Sequence, residues 1–291
     1  MKLPSSWRRR ARPGLGTLVD ITFDESDAAR AEAAFDAAFA AVALVHRLMS
    51  AHDPASDIRR LSESAHLRAL RVHPQTLAML RLSRRLHRLS GGIFDIAVGA
   101  ELAHAGHVPR LRRAPSGESG HGSSADIVLR RGGEVSFKRP LHLDMGGLAK
   151  GHAVDCAVRA LQSMGIRSGL VNAGGDMRAF GAAEHPVHLR FADGPRAVAL
   201  LRAGALAASC HADQDPGAAP PHLDARTRQP LRSRRSVLVH SKSAALADGL
   251  TKVAMACPQV ADRVCEALGA QWRGFDYFGN VENLDIENLD D

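Results

Sequence analysis

Residues 15–23, LGTLVDITF, alternate apolar and polar side chains with the period of a half-buried strand. Asp24 to Asp27 lead into an alanine-rich stretch, Ala28–Leu48, whose apolar positions recur at helical spacing, and Pro54 lies just beyond its end. Asp57 to Ser64 reads as a short turn or helix. His73-Pro74 opens a second long helix through Leu89, stopped by Gly91-Gly92. Val135–Leu143 is expected to be a strand, followed by a glycine turn at Gly146-Gly147 and a helix from Ala149 to Met164 with Gly165 as its cap. Gly169–Asn172 reads as a short buried strand closed by Gly174-Gly175, and Val187–Phe191 with Val198–Leu201 as a hairpin. A strand at Ser236–His240 and a helix at Ala244–Met255 complete the pattern.

Strands and helices therefore alternate irregularly with hairpins between them, which predicts one α+β (mixed α/β) domain over about residues 12–275. A basic N-terminal arm is expected over residues 1–11 and an acidic tail over 276–291. Ala103 to Ala125 has glycine, serine and arginine without periodicity, the pattern of a mobile surface excursion.

Composition narrows the function classes. The 291 residues contain 38 basic and 31 acidic side chains, a formal charge of +7, and only five of the basic residues are lysines. The arginines are scattered and aromatics make up only 4%, a poor match to a nucleic-acid surface, although attraction to an anionic ligand stays open. Apolar stretches such as Ala37–Val45 fall far short of the roughly 20 residues of a membrane span. Arg8, Arg9, Arg10 and Arg12 have no apolar segment behind them, so neither a secretory signal nor a lipid-anchored leader is read and a cytoplasmic address is expected. Cys156, Cys210, Cys257 and Cys265 lack a CxxC spacing, so they read as small buried apolar residues in a reducing compartment.

The chemistry concentrates in glycine loops. In Leu143-Asp144-Met145-Gly146-Gly147-Leu148-Ala149-Lys150-Gly151 a strand ends in a carboxylate, and glycines lead to a lysine at a helix start. Backbone amides and Lys150 there suit an anion or nucleotide, or the glycines form a plain tight turn; a Walker A loop is excluded by the spacing. Val171-Asn172-Ala173-Gly174-Gly175-Asp176 repeats the theme, and Gly91-Gly92-Ile93-Phe94-Asp95 adds an aromatic and a carboxylate. On the last helix Asp248 lies one turn from Thr251 and Lys252. That spacing reads either as an exposed Asp–Lys pair or as a hard oxygen ligand for Mg²⁺ beside a pyrophosphate.

In order along the chain, these segments resemble the ApbE family of FAD:protein FMN transferases. The resemblance runs through RPGLGTLVDI (12–21), MSAHDPASDIRRLS (49–62), GGIFDIAVG (91–99), LDMGGLAKGHAVD (143–155), VNAGGDMRAFG (171–181), ALAAS (205–209), LDARTRQP (223–230) and SAALADGLTKVA (243–254). It implies a single T-fold-like domain that binds FAD with Mg²⁺ and moves its FMN half onto a threonine of an acceptor flavoprotein, releasing AMP. Position by position, it implies flavin or FAD contacts at Leu15, His52, Ile93, Phe94, Asp95, Asp144, Lys150 and His222. It further implies metal ligation by the Gly147 carbonyl, Asp248 and Thr251, with Asp248 also the candidate catalytic carboxylate. Phosphoryl-transfer logic asks in addition for a carboxylate near the incoming hydroxyl.

Three departures bear on this. Lys252 stands where a metal-binding threonine is usual, and its ammonium would either repel Mg²⁺ or take its place. Ala208 and Cys210 replace the usual threonine and glycine around Ser209. His222-Leu223-Asp224 is one residue shorter than the usual His-x-x-Asp, and Arg228 replaces a glycine. Two other readings follow: an FAD-binding carrier or assembly factor without transfer, and a hydrolase that splits FAD to FMN and AMP.

Overall fold

The computed structural model describes residues 6–111, 122–210, 222–231 and 235–281. Its first hairpin joins β1 (Trp7–Gly14) to β2 (Thr17–Asp24) through Leu15 and Gly16, both at positive φ, 56° and 73°. Such a two-residue turn matches the twist of paired strands, but a leucine there is strained. The boundary expected at residue 12 thus falls inside β1, and residues 7–11 are strand rather than arm. Three arginines of β1 are paired with carboxylates in place. Arg9 pairs with Asp20, Arg10 with Glu32 at 2.6 Å and Arg12 with Asp36 at 3.4 Å. The guanidiniums of Arg10 and Arg12 also lie 4.7 and 4.4 Å from the rings of Phe35 and Phe39.

Those two aromatics belong to α1 (Ala28–Met49), capped by Asp27, whose carboxylate accepts from the Arg30 amide at 2.8 Å. Next come α2 (Asp57–Ser64), β3 (Leu70–Arg71), α3 (Pro74–Leu89) and α4 (Gly99–His104), then β4 (Ile127–Leu129) and β5 (Glu134–Phe137). The second half carries α5 (Ala149–Ser163), β6 (Gly169–Ala173), β7 (Asp176–Phe180), β8 (His185–Phe191), β9 (Gly194–Leu201) and β10 (Gly204–Cys210). It ends with β11 (Leu223–Asp224), β12 (Gln229–Pro230), β13 (Ser236–Ser241), α6 (Ala244–Ala256), α7 (Pro258–Leu268) and β14 (Gln271–Phe275).

A seven-stranded sheet in the order β1-β2-β6-β7-β10-β13-β14, antiparallel at every pairing, is the frame. On one face Ile21, Phe23, Val171, Val237 and Val239 pack against Ala34, Phe35, Val154, Val158, Leu250 and Val253 of α1, α5 and α6. On the other, Met177, Leu206, Leu238 and Phe275 meet Val187, Leu189, Phe191 and Leu201 of the β8–β9 hairpin. The α+β expectation holds. Among the described residues no helix is long and apolar enough to cross a membrane.

The strand expected over 135–143 stops at Phe137, because Pro140 cannot donate to a ladder. The backbone beyond it bonds elsewhere. Leu143 N donates to Ser62 Oγ at 3.0 Å, Asp144 N to the Ile96 carbonyl at 2.7 Å, and the His142 carbonyl accepts from Gly99 N at 2.9 Å. This detour brings Asp144 beside the loop that follows α3. Residues 112–121 of the expected excursion, and residues 282–291 of the expected acidic tail, lie outside the described residues.

Candidate active site

Helices α5 and α6 meet at their most intimate point over Gly151, where a Cβ would stand 2.2 Å from the Ala244 carbonyl oxygen. One turn later the buried Asp155 carboxylate accepts from Ser243 Oγ (2.7 Å) and from the amides of Ala244 (3.0 Å) and Ala245 (3.1 Å) at the start of α6. Arg178 closes the cluster at 2.6 Å. With α6 pinned there, its next inward turn carries Asp248 to α5, where Asp248 Oδ2 accepts from the Gly151 amide at 3.4 Å.

Asp248 is fully buried between two lysines. Lys252 Nζ stands 2.6 Å from Asp248 Oδ1, 3.0 Å from Thr251 Oγ1 and 3.3 Å from Ser209 Oγ. Lys150 Nζ stands 2.6 Å from Asp176 Oδ2 and 3.7 Å from Asp248 Oδ2. Thr251 Oγ1 accepts from Ser209 Oγ at 2.9 Å and donates to the Asp248 carbonyl at 2.7 Å. Burial opposes ionisation of Asp248, yet the two ammonium groups outweigh it and hold the carboxyl below its ordinary range. Asp176, dehydrated and repelled by Asp248, is pushed up to about 6. Lys150 is raised in spite of its burial, because both carboxylates favour its charge.

Above this floor opens a cavity of about 780 Å³, within the range of about 300–1,000 Å³ usual for ligand sites. Its walls include Leu15, Ile93, Phe94, Asp95, Asp144, Gly147, Lys150, Ser209, His222 and Lys252. The strained Leu15 thus presents its side chain in a place where strain accompanies function. A Cβ on Gly147 would stand 3.4 Å from both Lys252 Cε and Phe94 Cε2, which places Gly147 beside these two side chains. The start of α5 has no side-chain cap: the Ala149 amide bonds to the Met145 carbonyl at 2.8 Å and the Gly151 amide to Asp248, so the charge this end offers to an anion is the Lys150 ammonium.

The loop at the other end is held by Asp95. Its Oδ1 accepts from Ser124 Oγ at 2.6 Å and Ala97 N at 2.8 Å, and its Oδ2 lies 3.1 Å from His87 Nδ1. Burial opposes the charge of Asp95, but these donors outweigh it and lower its pKa; the bond to Asp95 in turn raises that of His87. Asp144 behaves in the opposite way. Burial raises its pKa, one oxygen accepts from Gly146 N at 2.9 Å, and its Oδ1 has no hydrogen bond among the described residues.

The structure therefore gathers Leu15, Ile93, Phe94, Asp95, Asp144, Gly147, Lys150 and His222 around one cavity. Asp248 and Thr251 lie just beneath it and reach it through Lys252, so the exposed Asp–Lys pair is not what forms. His52 does not join the lining. It is exposed on the turn after α1, near enough to Asp144 for its imidazole to counter the burial there. Of the donors expected for Mg²⁺, the Asp248 and Thr251 side chains are already engaged. Asp248 Oδ1 is taken by an ammonium, and among the described residues no group of three His, Cys, Asp or Glu side chains is placed to hold a metal ion.

Arg228 was legible only as a departure, and it acts as a staple. At φ 59° it occupies a glycine-like conformation, a cost of about 1–2 kcal/mol. Its guanidinium offsets this by donating to the Ala97 carbonyl (2.8 Å), Glu101 Oε1 (3.1 Å) and the Gly122 carbonyl (2.5 Å). Asp155 gave no separate signal, because a buried aspartate inside a helix looks from sequence like any polar helix residue. Asp176 was marked only by the glycines before it.

The cavity thus joins an apolar wall able to take a flat ring to a floor of two ammonium groups suited to a polyanion. The ApbE family model matches residues 15–271. A FAD:protein FMN transferase of Vibrio cholerae is 28% identical over 226 residues, covering 71% of this chain and 68% of that protein. Another of that name from Rhodobacter capsulatus is 29% identical over 251 residues, covering 80% of this chain and 48% of that longer protein. The fold is shared with the crystal structure of the ApbE protein of Thermotoga maritima, at TM-score 0.82 and 23% identity over 96% of this chain and 97% of that one. The chain belongs to the ApbE family.

Proposed function

We propose that the cavity binds FAD and that the protein transfers the FMN half of it to a threonine hydroxyl of an acceptor flavoprotein, releasing AMP. The protein is a flavin transferase, an enzyme acting on FAD and on a second protein. The observation that carries the reading is the pair Lys150 and Lys252 on the floor of a cavity whose far wall is Leu15, Ile93 and Phe94. The ring system rests on the apolar wall and the pyrophosphate lies over the ammonium groups.

In the transfer, the hydroxyl oxygen forms a bond to the phosphorus on the FMN side, and the bond from that phosphorus to the bridging oxygen breaks. AMP leaves with that oxygen, and the two lysines neutralise the charge that develops on it. The hydroxyl proton passes to Asp144, which lines the cavity, keeps one oxygen without a hydrogen bond among the described residues, and has a raised pKa that makes it the better base of the two wall carboxylates. Asp248 cannot take this part: it is buried under the floor with both oxygens engaged. Mg²⁺, implied by the family resemblance, does not fit the residues present, because Lys252 occupies the carboxylate oxygen it would use. None of the four cysteines forms a disulfide among the described residues, which suits work in a reducing compartment such as the cytoplasm.

The test is incubation with FAD and a candidate acceptor, reading covalent flavin on the acceptor by mass spectrometry and AMP by chromatography. Equal yields of flavinylated threonine and AMP are expected, and Asp144→Asn is expected to slow transfer about 10²–10⁴-fold while FAD still binds. FMN and AMP formed without acceptor would mean a hydrolase, and FAD bound but unchanged would mean a carrier.

A further inference from the structure

We infer that the Lys252 ammonium is the built-in cation of this site, so that the enzyme holds the pyrophosphate of FAD without a divalent metal ion. The inference rests on FAD being the ligand, as proposed above.

The geometry is that of an ion in an oxygen nest. One carboxylate oxygen and two hydroxyl oxygens surround Nζ at 2.6, 3.0 and 3.3 Å, and its remaining side faces the cavity. A carboxylate and hydroxyls are the hard donors that Mg²⁺ itself prefers, and here an ammonium sits among them. The nest is also closed to exchange. Asp248 Oδ2 is turned to the Gly151 amide and Lys150, so no second carboxylate oxygen is left for a metal. The Lys252 stem passes close to Gly147.

Charge gives the same answer. Asp176 and Asp248 carry two negative charges, and Lys150 and Lys252 two positive ones, so the floor is balanced before any ligand arrives. Mg²⁺ would enter only by ejecting the Lys252 ammonium from its nest or by lying against it, and both are unfavourable at such short range. A pyrophosphate meets the opposite situation. The bond to Ser209 at 3.3 Å is the longest of the three, and it is the one that a phosphate oxygen replaces.

The experiment titrates FAD into the purified enzyme in EDTA and again in millimolar Mg²⁺, following flavin fluorescence. A separate thermal shift uses Mg²⁺ alone on the flavin-free protein. The wild type is expected to bind FAD equally in both media and to show no shift with Mg²⁺. Lys252→Met, which keeps the stem without the charge, is expected to bind FAD about tenfold or more weakly in both media. Lys252→Thr, which offers an oxygen without a charge, is expected to bind weakly in EDTA and to recover with Mg²⁺, and Mg²⁺ alone raises its Tm. Wild-type FAD binding that tightens tenfold or more with Mg²⁺, or a wild-type Tm raised by Mg²⁺ alone, would overturn the inference. FAD bound in neither medium would overturn the proposed function and this inference with it.

Discussion

Asp95 and Asp248 are both buried carboxylates against the same cavity, and both have pKa values held below the ordinary range, but they do opposite work. Asp95 is ringed by neutral donors and one histidine, and it shapes a loop that offers Ile93 and Phe94 to a ligand. Asp248 is flanked by two ammonium groups, and it positions positive charge rather than backbone. Burial of an acid thus says little about its role until its partners are known. Donors that are part of the chain turn a carboxylate into an anchor, and side-chain cations turn it into a holder of charge.

The contrast is broken most severely at Asp248. Asp248→Asn strands the Lys252 ammonium without its counter-charge and removes one of two from Lys150, at an expected cost of about 3–5 kcal/mol in chemical denaturation. FAD affinity is expected to change less than stability, since both lysines remain. A loss below about 1 kcal/mol would place the pair in the surface class.

A smaller effect is expected at the other end. Asp95→Asn keeps the shape but loses the ionic hydrogen bonds, costing about 1.5–3 kcal/mol. KM for FAD is expected to rise with kcat little changed, because the loop binds and the floor reacts. Equal falls in kcat and kcat/KM would show instead that Asp95 acts in the transition state.

The mildest probe is pH. The folded pKa of His87 is raised by its bond to Asp95, so its contribution is fully present below the ordinary imidazole range near 6.5 and fades as pH rises through the folded value. The folded pKa of Asp95 is lowered, so its part is present above about 4 and fades as pH falls through the folded value. The loop anchor is therefore complete between about pH 4 and 6.5. KM for FAD is expected to stay level across this range and to rise above it, as pH passes through the raised folded value of His87, and His87→Gln is expected to flatten that alkaline limb. An unchanged alkaline limb in His87→Gln would assign it to another group.

Long periodic elements were readable in advance. Ala28–Leu48 and Ala244–Met255 agree with α1 and α6 to within a residue at each end, because their apolar faces, caps and glycine or proline stops all point one way. Strands β7 and β10 were not read. Their runs DMRAF and GALAASC carry small or mixed side chains without alternation, being covered on both faces. The eight cavity-lining residues are legible in short motifs, whereas His52 stands on an exposed turn near Asp144 and outside the lining, because a motif gives position along the chain and not direction in space. Arg228 looked like the loss of a glycine. Only its three hydrogen bonds to distant backbone and side-chain oxygens reveal what replaced it.

The α+β class, the glycine loops, the family and the lysine one turn after Asp248 are all legible in the chain alone, since they rest on order and spacing along it. Whether that lysine is a solvated neighbour or the cation of the site was decided only by tertiary structure. The α5–α6 crossing at Gly151 buries Asp248, β10 brings Ser209 across, and the cavity leaves Nζ one open side. Electrostatic roles follow from burial and distance, and neither is written in a run of letters.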